Sequence, residues 1–201
     1  MTGMRRLTPA TLLLAWVGLI HAGPASAPPL NPGAEDSKVI KARVVAVDYK
    51  EAVVLCNLKG LAWTGDLAKA LAKAGKDKNL VFLEFAAASN ISSKYNHQAV
   101  FTKPAVKEAL KPYVLVMLYI DLLVPDEFFK EAVCEEKRHA ESEANNQFEK
   151  DAFFTAAIPL CVILKPVGDG AFKVVGRYDE ARINNEEKFV DFLQSPFASD
   201  K

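Results

Sequence analysis

The chain has 201 residues, its 25 basic and 25 acidic side chains cancel, and half of its residues are hydrophobic. That is enough apolar material for one globular domain with a sizeable core, and it excludes the strongly basic surface on which nucleic-acid binding depends. Three histidines (His21, His97, His139) and three cysteines (Cys56, Cys134, Cys161) are scattered without ligand or CxxC spacing, so neither a metal site nor a cofactor is expected.

Met4-Arg5-Arg6 precede an apolar run from Leu12 to Ile20, followed by small residues to Ala27. The run is too short to span a bilayer and reads as a secretory signal peptide over residues 1–27. Ala25-Ser-Ala27 has the cleavage pattern, but Pro28 is a poor neighbour for a peptidase, so cuts near Ala22 or Ala25 stay open. No cysteine follows the run, which argues against lipid attachment. The mature chain is therefore expected to be exported, periplasmic or secreted, with no membrane span. In such a compartment Cys134 and Cys161 could close a disulfide worth about 3–4 kcal/mol on the chain-entropy argument. The alternative is that the cysteines are separately buried small hydrophobes.

Residues 28–59 read as a linker and a β-hairpin extension. PPLNPGAEDS, starting at Pro28, has nothing to bury, and Lys38 to Cys56 places valines and isoleucine around Asp48-Tyr-Lys-Glu51 as a hairpin would. Trp63 and Thr64 then lead into a helix with Leu67, Ala70, Leu71 and Ala74 at i, i+3, i+4 and i+7, stopped by Gly75 and the Lys-Asp-Lys that follows. Leu80 to Phe85 is a continuous apolar run broken only by Glu84, the pattern of a central strand covered on both faces. Its carboxylate must be paired, hydrated or protonated, because a lone buried charge is costly. After three alanines and Ser89, Asn90 is a good N-cap for a new helix, its side-chain oxygen within reach of the N–H groups of Ser92 or Ser93. Pro104 opens a short helix with Val106, Ala109 and Leu110 inward, and Tyr113 to Ile120 is a second buried strand, expected to run parallel to the first.

Glu135 to Lys150 is highly charged, with Ala140, Ala144 and Phe148 forming a thin apolar stripe on an otherwise exposed helix. Ile158-Pro159 opens a third apolar strand, where an X-Pro bond is a candidate cis peptide. Gly168-Asp-Gly170 turns the chain into an antiparallel partner from Phe172 to Tyr178. Asn184 or Asn185 caps a last helix, expected to be broken by Pro196.

Gly60-Leu-Ala-Trp63, the LVFLEF strand, Lys94-Tyr-Asn with Val100-Phe-Thr-Lys-Pro104, the Tyr113 to Asp121 strand, and Pro159 followed by a Gly-Asp-Gly hairpin resemble, as an ordered set, one known family. It is the C-terminal thioredoxin-like domain of the thiol:disulfide interchange protein DsbD family, and the resemblance covers residues 60–197. It implies an α/β thioredoxin-like fold, a central mixed β-sheet flanked by helices. It also implies that the family's two CxxC cysteines fall on Asn90 and Ser93, its buried acid on Glu84 and its cis-proline on Pro159. The motif here reads Asn90-Ile91-Ser92-Ser93, so the thiolate that attacks and the thiol that resolves are both replaced.

Two function classes follow. One is a non-catalytic module that keeps the family's groove, Asn90 to Ser93 opposite Ile158 and Pro159, for an extended polypeptide or an envelope protein. The other is a thiol:disulfide oxidoreductase working through Cys161, which on strand alternation shares a face with Pro159, or through another non-motif cysteine. A Ser92 or Ser93, His97, Glu84 triad has the ingredients of a hydrolase but no nucleophile elbow. Asn90-Ile-Ser92 is also an N-glycosylation sequon, poorly placed at a helix cap.

Overall fold

In the computed structural model the described residues are 40–41, 54–58, 60–121 and 135–198. They fall within one compact unit, Pro32–Lys201. The expected signal peptide, the linker before Val39 and Cys134 lie outside the described residues. The elements in chain order are β1 (Ile40–Lys41), β2 (Val54–Leu58), β3 (Leu61–Thr64), α1 (Leu67–Asp77), β4 (Leu80–Ala86) and α2 (Ile91–Tyr95). A π-helical turn (Asn96–Val100) follows, then α3 (Pro104–Leu110), β5 (Tyr113–Tyr119), α4 (Glu135–Phe153), β6 (Leu160–Gly168), β7 (Ala171–Tyr178) and α5 (Glu186–Ala198).

The strands form one mixed sheet in the order β1-β7-β6-β4-β5-β3-β2. β4 sits at its centre, parallel to β5 through seven residue pairs from Leu80↔Tyr113 to Ala86↔Tyr119, and antiparallel to β6. Side chains alternate between two cores. Phe82 meets Trp63, Phe101, Tyr113 and Phe189 on one face, while Val81, Leu83 and Phe85 meet α1, Phe153 and Phe172 on the other. No helix among the described residues is long and apolar enough to cross a membrane.

Several local expectations are corrected. β1 pairs with β7 and β2 with β3, at opposite ends of the sheet, and the residues around Asp48, where a hairpin is expected, lie outside the described residues. A hairpin forms between β2 and β3, where Gly60 at φ 98° makes the turn and Trp63 is drawn into the core as part of a strand. Helix α1 starts at an Asp66 cap that accepts from Lys69 N–H at 2.9 Å, and it stops within the Lys-Asp-Lys after Gly75, where a stop is expected. It ends at Lys78, whose φ of 57° lets Asn79 N–H reach the Ala74 carbonyl at 2.9 Å. Pro196 lies inside the last turn of α5 instead of breaking it; the Phe192 carbonyl that its missing N–H leaves over accepts from Ser195 Oγ at 2.8 Å. In α4 only part of the expected stripe is inward: Phe148 packs on Phe85 and Phe172 but Ala140 is exposed, and Ser142, Glu149, Ala152 and Phe153 are the buried residues.

Phe82 is fully buried and joins four other rings, so Phe82→Ala is expected to cost about 3–5 kcal/mol in urea-induced unfolding.

Candidate functional site

The crossing from β4 into α2 is held from three directions. Asp121, just past the end of β5, accepts from the N–H groups of Ala88 at 2.9 Å and Ser89 at 2.7 Å, which fixes the loop against the strand beside it. Asn90 has extended backbone, and its Oδ1 accepts from Ser92 N–H at 2.8 Å and Ser93 N–H at 3.1 Å, the cap its position calls for. Its Nδ2 donates across to the Ile158 carbonyl at 3.3 Å. One side chain thus satisfies the helix start and ties it to the β6 entry, where the Ile158–Pro159 peptide is cis.

The residues singled out in sequence therefore do meet. Asn90 and Ile158 are in contact, Pro159 is buried behind them, and Ile91 projects outward with 77% of its surface exposed. Ser93 points the other way: it is 1% exposed and its Oγ accepts from Ala87 N–H at 3.2 Å. That burial and engagement take Ser93 out of a serine-based triad, whereas Ser92 is half-buried. Cys161 is a free thiol, 2% exposed, on the strand beneath and paired in register with Glu84. Burial, and secondarily the charge of Glu84, push its pKa well above the ordinary thiol value, the opposite of what an attacking thiol needs.

Glu84 is fully buried and its Oε2 lies 2.9 Å from His97 Nε2, which is itself nearly buried. The π-helical turn delivers this contact. Residues 96–100 are wound wider than an α-helix, a feature that often marks functional positions, and His97 comes back over the strand and against the Phe101 ring at 5.6 Å. Burial alone would lower the His97 pKa, but the charge of Glu84 and its hydrogen bond outweigh it, so the net shift is upward from 6.5. The other Glu84 oxygen, Oε1, has no hydrogen-bond partner.

Two contributors were not visible in the sequence. Asn96 is fully buried; it donates to the Ala181 carbonyl at 2.9 Å and accepts from Ile183 N–H at 3.1 Å, which anchors the loop after β7 to the π-helical turn. Arg182 of that loop stacks over Tyr95 at 4.0 Å. Asp121 is the second, and nothing local marks it, because its partners are 32 and 33 residues away. Among the described residues no cluster of three metal-ligating side chains occurs.

A mixed sheet with helices on both faces, and a helix start facing a cis-proline, define a thioredoxin-type frame. The sequence matches the thioredoxin-like family over residues 62–166, just over half of the chain, and the protein belongs to that family. The solution structure of a thioredoxin from Thermus thermophilus is similar at 20% identity and a TM-score of 0.49, with 69% of this chain and 88% of that chain covered. No curated protein matches the sequence.

The Glu84–His97 pair carries a pH signature. A histidine whose folded pKa is raised contributes stability that is complete below 6.5 and is lost as pH rises through the folded value. Glu84→Gln is expected to move the His97 NMR titration midpoint below 6.5, because burial then acts without the opposing charge. His97→Ala is expected to cost about 3–5 kcal/mol in denaturant unfolding, since it strands a buried carboxylate.

Proposed function

We propose that the protein is an exported thioredoxin-type module, related to the DsbD-type thiol:disulfide interchange domains, that binds extended polypeptide and carries out no dithiol exchange. The observation that carries this reading is Asn90. At the helix start, where a family member of that kind holds its attacking sulfur, this chain has a carboxamide engaged by two helix N–H groups and by the Ile158 carbonyl. An amide neither forms nor breaks a disulfide. Ser93, in the place of the resolving thiol, is a buried hydroxyl, far less acidic than a thiol.

What remains at the site suits recognition. Ile91 offers an exposed apolar side chain beside the helix start. The Ile158 carbonyl keeps a second lone pair beyond the one Asn90 uses, so it can accept from an incoming backbone as in strand addition. The alternative, an oxidoreductase using Cys161, is opposed by the burial of that thiol and the upward direction of its pKa. Export rests on the residues 1–27 pattern and is tested by sequencing the N-terminus of the protein recovered from a native host.

The mature protein is expected to leave insulin disulfides intact and to retain extended peptides from a displayed library, with affinity falling roughly tenfold or more on Ile91→Asp. Insulin reduction that vanishes on Cys161→Ser would falsify the reading. The double variant Asn90→Cys, Ser93→Cys is expected to gain insulin-reducing activity, because a helix start whose N–H groups would stabilise a thiolate is in place. A folded double variant that stays inactive would break the proposed link to the interchange domains.

A further inference from the structure

Helix α4 carries a buried acid that the candidate site does not use. Its inward face is made by Ser142, Asn145, Glu149, Ala152 and Phe153, the last two at i+3 and i+4 from Glu149. Glu149 is 0% exposed, and neither of its carboxylate oxygens has a hydrogen-bond partner. Several groups among the described residues hold this helix down. Asn145 Nδ2 donates to the Tyr119 carbonyl at 2.8 Å, Arg177 Nη1 donates to the Phe153 carbonyl at 3.0 Å, and Phe148 and Phe153 pack on Phe85 and Phe172.

We propose that α4 is a pH-sensitive latch, docked on the sheet while Glu149 is neutral and released over its C-terminal half when Glu149 ionises. A protonated carboxyl without partners is a tolerable guest in an apolar layer, whereas a carboxylate there has lost its hydration and gained no donor. The charges that reach Glu149 are Lys150, exposed on its own helix, and Arg177 of β7. Arg177 is committed to the Phe153 carbonyl and, through Nε, to Asp179 at 2.9 Å, and it makes no hydrogen bond to Glu149. The sheet face on this side is apolar, with Phe85, Val116, Leu118, Leu160, Val162 and Phe172. Burial accordingly moves the Glu149 pKa from 4.5 up to about 7, against the pull of both cations. The sign follows: between about 4.5 and about 7 the docked state holds a proton that the released state gives up, so docking weakens as pH rises across that interval and changes no further above it. Because α4 ends at Phe153, release also frees the connection that enters Ile158–Pro159.

The test needs no ligand, so it stands apart from whatever the Asn90 site binds. Hydrogen exchange of the full chain, corrected for intrinsic rates, is compared at about pH 6 and about pH 8; amides of residues 142–153 are expected to lose roughly tenfold protection while those of α1 do not. Glu149→Gln, neutral at every pH, is expected to keep α4 protected at both. Equal protection of the wild type at both values, or the same loss in Glu149→Gln, overturns the latch. Should Glu149→Gln fail to fold, a carbon-13 carboxyl titration of the wild type decides: a Glu149 midpoint near 7 supports it, and one in the ordinary carboxylate range overturns it.

Discussion

A carboxylate in the middle of the most buried strand is the constraint around which this domain is arranged. Glu84 interrupts a run in which Val81, Phe82, Leu83, Phe85 and Ala86 are all fully buried, and an acid in that place needs a partner from another element. His97 supplies it, and the π-helical turn that carries His97 also carries Asn96, which holds the loop after β7. Strand, turn and loop are thereby coupled through two polar side chains inside a largely apolar core. A polar device of this kind contributes through the penalty of breaking it more than through the strength of the pair itself.

The same region ties the helix start to the strand beside it. Asn90 bridges the start of α2 and the Ile158 carbonyl with one carboxamide, so the helix start and the proline loop are joined by hydrogen bonds. Cys161 lies beneath, sealed and paired in register with Glu84. A buried thiol next to a buried acid has the environment of a structural residue, because both low dielectric and the neighbouring negative charge disfavour the thiolate.

On the opposite face the polar groups are less well provided for. Glu149 enters an apolar layer without a donor, while the nearby arginine is used for a main-chain carbonyl and an aspartate. Of the two buried glutamates, Glu84 has an imidazole within hydrogen-bonding distance, and neither oxygen of Glu149 has a hydrogen-bond partner. That difference separates a pair that locks the fold from a group whose ionisation opposes it.

Much of the fold was legible locally. The apolar runs at Leu80 and Tyr113, the proline at the start of α3 and the cap at Asn90 each follow from the chemistry of a few neighbouring residues, and the parallel β4–β5 pairing follows from the helices between them. The Asn-Ile-Ser-Ser reading of residues 90–93, and with it the absence of a dithiol motif, is sequence information alone. Which strand Ile40 would join, where the hairpin would turn, and which face of α4 would point inward were decided only in three dimensions. β1 and β2 find their partners in β7 and β3, and α4 buries Ser142 and Glu149 where apolar residues were expected. The partners of Glu84, Asn96 and Asp121, and the Ile158 carbonyl that Asn90 reaches beyond its local cap, lie between 13 and 87 residues away, beyond any local pattern. Local propensity therefore determined the elements, whereas the pairing of buried polar groups depended on contacts that exist only once the chain has closed on itself.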